Sequence, residues 1–449
     1  MGLAVLTPRA SGKTIPKKNQ KDVSPPDMNR VASIILGGGE GTRLFPLTLN
    51  CCKPAINFGG RFKLIDIPIA NSINSGCNKI FVITQFLSAS LHQHLFRAYR
   101  NDTSNSGFLE ILSAELKHSK MGWFKGTADA VRQNIEYLLD LPVDYFLILS
   151  GDQLYTMDFR EMVQTAKDTD ADLIVAALPV KGPECKRMGI LKIDSKRNIT
   201  DFIEKPQDLN DIEHMRINIG FKKSKQKPQD DPQYLGSMGI YLFKREALIK
   251  LLHEDSREDF GKHLLPTMVE RGKAAAHIFN GYWEDIGTIE SFYHANIAMT
   301  STVPPLDCYN EQKPIISTHH NLMGPKLTNT LVNGSIICEG CRIDADEIRN
   351  SILGPRTTVG KGSVITESYL MGNDYYISPV ATEAAPKHLQ IGKNCIIMKS
   401  IIDKNVCIGD NVCLINKNGL THYDDSNIYI RDGIIVVPRG ATIPDGFIL

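Results

Sequence analysis

The sequence predicts an α/β chain: a mostly parallel sheet sandwiched by helices, followed by a parallel β-helix. Three observations predict it. Short apolar runs of strand length alternate with helical patterns over the first 300 residues or so. A glycine-dense loop follows directly on the first of those strands. After residue 331 the rhythm changes, and aliphatic residues recur every five or six positions. That period is too short for helical repeats and fits coils that stack one aliphatic residue on the one below.

The first strand is Val31-Ala32-Ser33-Ile34-Ile35-Leu36, an uninterrupted apolar run. Further strands are expected at Lys79–Thr84, Tyr145–Ser150 and Asp172–Leu178, with helices over Ser88–Tyr99 and Thr127–Leu139 between them. Such alternation implies a sheet covered on both faces. The α/β domain is placed at 31–300. Residues 301–330, rich in Pro, Thr, Asn and His, are expected to be a linker. The second domain, 331–449, carries Ile391, Ile397, Ile402, Ile408 and Leu414, with Val406 and Val412 repeating the step of six; glycine follows Ile391 and Ile408. The stretch Asn373 to Gln390 interrupts this as a loop. Residues 1–30 are expected to be a flexible tail, with a shortened transit remnant as the alternative.

Composition narrows the function. The chain has 449 residues, with 51 Lys and Arg against 50 Asp and Glu, a net charge of +1. That balance argues against a partner such as nucleic acid or an anionic membrane, which selects a basic surface. It leaves room for a small anionic ligand, which needs only a few local cations. No apolar stretch approaches the ~20 residues of a membrane helix. Ten cysteines in a chain of this length are not a disulfide framework. Cys338-Glu339-Gly340-Cys341 is an isolated C-x-x-C, read as small apolar residues filling a turn rather than half of a zinc site. A reducing compartment follows from that usage.

The loop Gly37-Gly38-Gly39-Glu40-Gly41-Thr42-Arg43-Leu44 matches neither the Rossmann nor the P-loop template. Its glycines would still let backbone N–H groups approach a phosphate or base, and Arg43 can pair two phosphate oxygens at once. Lys53, before Pro54, offers a second cation, although a lone lysine is usually only a solvated charge. Asp152 follows a strand end, where open α/β sheets bind ligands; it could equally cap a turn. Asp285, in Tyr282-Trp283-Glu284-Asp285, could join Asp152 in a Mg²⁺ site, since Mg²⁺ takes one or two carboxylates plus phosphate oxygens and water. Trp283 could equally be core. Glu204-Lys205-Pro206 reads either as a plain exposed pair or as a carboxylate for sugar hydroxyls beside an ammonium for a phosphate. Ser237, between Gly236 and Gly239, suits close approach of a ligand at a strand start.

These pieces occur in a recognisable order: GGGEGTRLFPLT, KPA, LIDIP, TQFLSASL, WFKGTADAVRQ, LSGDQLYTMD, IEKP, SMGIY, GYWEDIGT and the C-terminal IIDKN-x-x-IGDNV. Over residues 31 to 449 the chain resembles the ADP-glucose pyrophosphorylases. GWFKGTADAVRQ and YWEDIGT together separate this family from other sugar nucleotidyltransferases. The resemblance implies a mixed, mostly parallel nucleotidyltransferase sheet and a left-handed β-helix serving oligomerisation and regulation. It implies transfer of the adenylyl group of ATP to glucose 1-phosphate, with release of pyrophosphate and with Mg²⁺ as cofactor. Arg43 would neutralise the leaving pyrophosphate and Lys53 support the phosphates. Leu36, Gly37, Gly38, Gln85, Lys125, Gly126 and Thr127 would hold the nucleotide. Asp152 and Asp285 would hold Mg²⁺, Lys205 would grip the sugar phosphate, and Glu204, Ser237 and the backbone of Gly189 would read glucose hydroxyls. A homotetramer, or a heterotetramer with a related subunit, is implied, working in glycogen or starch synthesis in cytoplasm or plastid stroma.

The chain departs from many relatives in an anion-binding effector region. Leu49-Asn50-Cys51-Cys52 stands where basic residues are common, Gln93 where another relative carries Arg, and a linker cation is replaced near His320. Lys63, His94, Lys404 and Arg439 remain, the last where Lys is usual. Each missing cation removes a charge-assisted hydrogen bond worth ~1.5–3 kcal/mol, so activation by phosphorylated metabolites is expected to be weakened or altered. Three competing readings are a non-catalytic regulatory subunit, a bifunctional enzyme with acyl transfer in the β-helix, and an assembly protein of the same two domains. Retention of Arg43, Lys53, Asp152, Lys205 and Asp285 argues against the first and third. The second would need a catalytic histidine, and only His388 and His422 lie beyond the linker, both in expected loops.

Overall fold

The computed structural model describes residues 25–99, 107–114, 122–217, 234–318, 321–377 and 388–449. The principal strands of the first domain are β1 (Val31–Leu36), β2 (Lys79–Thr84), β3 (Phe108–Ser113), β4 (Tyr145–Ser150), β5 (Gln153–Tyr155), β6 (Leu173–Val180), β7 (Gly189–Ile193), β8 (Ile199–Glu204), β9 (Tyr234–Lys244), β10 (Ala274–Ile278) and β11 (Trp283–Asp285). The α-helices are α1 (Asp66–Asn74), α2 (Ala89–Tyr99), α3 (Thr127–Gln133), α4 (Glu136–Leu139), α5 (Phe159–Thr169), α6 (Arg245–Glu254), α7 (Leu265–Glu270) and α8 (Ile289–Ala298).

One nine-stranded mixed sheet runs β8-β7-β9-β4-β1-β2-β3, with β6 also on β9 and β10 on β6. β1 pairs in parallel with β2 and β4, whereas β9 is antiparallel to β4, β6 and β7. Because both faces are covered, β1 shows no polar alternation. Val31 and Ile35 enter one apolar cluster, and Ala32 and Ile34 the other. The polar exception, Ser33, is satisfied by Ser72 of α1 at 2.9 Å.

The expected helix over 127–139 is two helices. Asn134 leaves helical geometry at φ −106°, and its amide bonds back to Ala130 O at 2.8 Å. Side-chain to backbone bonding of this kind competes with helix continuation. The expected tail also ends earlier than residue 30. Met28 is buried in the core, and Arg30 makes a two-pronged pair with Asp144, both contacts at 2.5 Å. The expected linker is docked on the first domain. Leu306 is buried, Ser317 Oγ donates to Asp66 at 2.7 Å, and Lys326–Leu327 already pairs with Arg342–Ile343.

In the second domain three ladders of short parallel strands form three faces. Ile343, Val359, Ile391, Ile408 and Ile443 stack along one, with parallel bridges linking the middle turns. Ile348, Ile365, Ile397 and Leu414 stack along the second, and Leu353, Leu370, Ile402 and Val437 along the third. All are buried. The glycine after Ile391 has a steric cause: a Cβ on Gly392 would lie 2.2 Å from Gly409 O in the next coil. Asn394 and Asn411 turn successive corners at φ +54° and +58°, joined by a 3.1 Å side-chain bond. Of the expected interruption at Asn373 to Gln390, residues 378–387 lie outside the described residues; Ile377 bridges His388 across them. The two domains share a core, where Phe292 of α8 meets Tyr369 at 5.9 Å and Phe45 meets Tyr429 edge-on at 5.2 Å.

Candidate active site

A cleft of about 640 Å³ opens at the C-terminal ends of β1, β2 and β4, the usual ligand position of open α/β sheets. It is lined by Leu36, Gly38, Arg43, Lys53, Gln85, Lys125, Gly126, Thr127, Asp152, Gly189, Glu204, Lys205, Ser237 and Asp285. The structure therefore brings together every sequence-predicted catalytic and substrate residue except Gly37. Gly37 sits behind the wall, and its N–H is taken up by Ile83 O at 2.8 Å, so it has no donor to offer a phosphate.

At the centre, Lys53 is nearly buried, with its Nζ 2.5 Å from Asp152 and 3.8 Å from Asp285. Two local features converge the carboxylates. Gly151 continues β4 into β5, and β5 pairs antiparallel with β11 so that Asp285 lies opposite Gln153, one residue beyond Asp152. Burial alone would raise the Asp152 carboxyl, but the Lys53 charge, with hydrogen bonds from Lys53 and the Ser150 hydroxyl, holds it below the usual carboxylate value. Asp285 goes the other way. Burial and then the neighbouring Asp152 charge push it up, against the pull of Lys53, Arg43 and Arg187. Two carboxylates that repel each other in a cleft suit a divalent cation. Among the described residues no third His, Cys, Asp or Glu joins them, so such a cation would draw its remaining oxygens from substrate and water. Trp283, which the sequence allowed as core, packs against an apolar cluster while its Nε1 donates to Gln153 at 3.2 Å, and it also lines the cleft.

Toward the nucleotide end, Gln85 ties the glycine loop to the opposite wall. Its amide donates to Gly38 O at 3.1 Å and accepts from Phe124 N at 2.7 Å. Thr127 accepts from Phe260 N at 3.0 Å and contacts Asp259 at 3.3 Å, tying α3 to the 259–262 turn. Lys125 is exposed and lies 3.8 Å from Glu258.

At the other end, Lys205 adopts φ +48°, a left-handed conformation unusual for a non-glycine. Its Nζ lies 3.4 Å from Glu204, whose carboxyl is pushed up by burial against the Lys205 charge. A Cβ on Gly189 would stand 2.7 Å from the Glu204 carboxylate, so the glycine keeps that approach open. Ser237 lies inside β9 rather than at a strand start. Its Oγ accepts from Gly239 N at 3.3 Å, where the register shifts between Ser237 and Tyr241. Met238, Gly239 and Tyr241, within and beyond that bulge, line the cleft with Ser237.

Sequence reasoning did not single out Arg187, Gln153, Asp259 or Lys262, which also line the cleft. Gln153 stands in the sequence inside the run LSGDQLYTMD, and the others carry no local marker.

The effector set divides. Lys63, Lys404 and Arg439 line one small pocket with Asn50, Cys51 and Asp403, between the domains. His94 is elsewhere: its ring bonds Asp66 at 2.6 Å and Thr318 at 3.0 Å, a buried structural network. Gln93 is exposed on α2, and His320 lies outside the described residues. Cys338 and Cys341 are buried, their thiols pushed up to about 12 and about 11 by desolvation, which leaves them inert.

Two family models match the chain over most of its length. The nucleotidyl transferase family matches residues 32–302, and the GLGC left-handed parallel β-helix domain matches residues 320–448.

Proposed function

We propose that this chain, which belongs to the nucleotidyl transferase family and carries the two-domain architecture of the ADP-glucose pyrophosphorylases, is an active glucose-1-phosphate adenylyltransferase. The observation that carries this reading is the convergence of Arg43, Lys53, Asp152, Asp285, Glu204 and Lys205 on one cleft.

In this reading a phosphate oxygen of glucose 1-phosphate attacks the α-phosphorus of ATP. The bond to the β-phosphate breaks, and pyrophosphate leaves with the electron pair. No covalent enzyme intermediate is required, and the protein contributes position and charge. Arg43 makes no hydrogen bond or ion pair with any described residue, so its guanidinium is free to pair with the leaving pyrophosphate. Lys53, held by Asp152, supports the phosphates. Lys205 takes the sugar phosphate, and Glu204 with Ser237 takes glucose hydroxyls. Asp152 and Asp285 fit Mg²⁺, which when bound would neutralise phosphate charge between them. A regulatory subunit without turnover would need none of these opposed charges. The completeness of the set supports the catalytic reading.

The Lys63–Lys404–Arg439 pocket is proposed as a weakened effector site, and assembly as a homotetramer or a heterotetramer with a related subunit. No helix among the described residues is long and apolar enough to cross a membrane; a reducing compartment, cytoplasm or plastid stroma, is proposed. The deciding experiment is pyrophosphate release by the purified chain with glucose 1-phosphate and ATP, UTP or dTTP, with and without Mg²⁺. Release with ATP well above the other two supports the reading. No release with any of them sinks it in favour of a regulatory subunit.

A further inference from the structure

The cleft holds a cation with no role in the reading above. Arg187 ends the 3₁₀ turn Gly182–Arg187 and lines the cleft. It is exposed and makes no hydrogen bond or ion pair with any described residue. Its backbone is nonetheless fixed. Cys185 and Met188 on either side are buried, and both belong to an apolar cluster with Ile190, Ile212 and Tyr234.

Its position is specific. Met188 O, one residue on, accepts from Lys205 N at 3.2 Å, so the turns bearing Arg187 and Lys205 abut. On its other side Arg187 acts electrostatically on Glu284 and Asp285 of β11, and it shares Asp285 with Arg43, which rises from the glycine loop. The carboxylate pair thus has one unpartnered guanidinium on the glycine loop and a second beside the Lys205 turn. In-line transfer brings a sugar phosphate dianion up to a polyanionic triphosphate. That approach is repulsive unless a cation also stands on the attacking side. A guanidinium is suited to it, because its fork can hold two phosphate oxygens and leave the third to attack.

We propose that Arg187 binds the phosphate of the incoming sugar 1-phosphate together with Lys205, orienting the attacking oxygen. This deepens the adenylyltransferase reading and rests on it.

The test compares wild type, Arg187→Ala and Arg187→Lys in steady-state turnover with glucose 1-phosphate and ATP varied separately, and in calorimetric titration with glucose 1-phosphate. Wild type reports on the function itself: neither turnover nor glucose 1-phosphate binding there overturns the adenylyltransferase reading and this inference with it. With wild type active, Arg187→Ala is expected to raise KM for glucose 1-phosphate at least tenfold and weaken its titrated affinity similarly. KM for ATP should stay within twofold, and Arg187→Lys should recover part of the loss. Because Arg187 bonds no described residue, thermal unfolding should be unchanged. An unchanged KM for glucose 1-phosphate, or an increase confined to ATP, overturns the inference while leaving the function standing.

Discussion

Lys404 donates to Asp374 at 2.9 Å, and Arg439 reaches the other oxygen of the same carboxylate at 2.5 Å. The two cations in the β-helix half of the proposed effector pocket therefore already have an anion. Asn405 adds a third bond to Asp374 at 2.9 Å. Burial would raise the Asp374 carboxyl, but the charges of Lys404 and Arg439, with hydrogen bonds from Lys404 and Asn405, hold it far below the usual carboxylate value. Nearby, desolvation and then the Lys404 charge bring the Lys63 ammonium down to about 8. A phosphorylated effector would have to displace Asp374 and charge Lys63 fully.

Removing the internal anion should therefore expose a response that the wild type lacks. Asp374→Asn is expected to turn a less than twofold effect of 3-phosphoglycerate, fructose 1,6-bisphosphate or orthophosphate on turnover into a severalfold one. A wild type strongly activated by any of them would contradict the weakened site. The same carboxylate has a pH signature. Its value is lower folded than unfolded, so its stabilisation is complete above about pH 4, the ordinary carboxylate value, and is lost as pH falls further. Acid unfolding curves of wild type and Asp374→Asn should converge at low pH.

Asp152→Asn should lower turnover by roughly 100-fold or more, the scale of losing a preorganised charge in a transition-state site, with little change in fold. Asp285→Asn should be equally inactive yet melt no lower than wild type near neutral pH. Its carboxyl is raised in the folded state by burial and by Asp152. Stability therefore falls as pH rises from the ordinary carboxylate value through Asp285's raised one, and an amide relieves that penalty. A clear loss of melting temperature in Asp285→Asn would contradict the repulsion between the pair.

Lys205→Gly separates strain from function. A non-glycine left-handed residue costs about 1–2 kcal/mol, so the variant should unfold later in urea by part of that amount, offset by glycine's chain entropy. It should also bind glucose 1-phosphate more weakly with KM for ATP unchanged. If Lys205→Ala raised only the ATP requirement, the sugar-phosphate role would be wrong.

Local patterns were the legible part of this molecule. The glycine loop, the strand-end Asp152 and the spacing from Ile391 to Leu414 each follow from a rule about neighbours in sequence, and each is where that rule puts it. Long-range side-chain pairing was not legible. His94 looks like a free surface cation until Asp66 and Thr318 are seen to hold it. Asp374 has no marker at all, since its partners lie 30 and 65 residues further on. The linker is marked in the sequence only by its polar composition and missing periodicity, yet Ser317 and Thr318 bond Asp66 and His94, the Ile316 carbonyl accepts from Tyr99, and Leu306 is buried.

Neighbouring residues test the β-helix most sharply. Ile396 and Ile397 share a strand, but Ile397 is fully buried between Ile365 and Leu414, whereas Ile396 is 42% exposed. Ile397→Ala leaves a hole in the stack that coils above and below cannot close without moving each other, so about 2–5 kcal/mol should be lost. Ile396→Ala removes surface contacts only, and its cost should stay within about 0.5 kcal/mol. Urea unfolding of the two variants measures both. A larger loss from Ile396→Ala than from Ile397→Ala would mean that the strand presents its other face inward, a one-residue slip that would reverse the facing of Ile396 and Ile397.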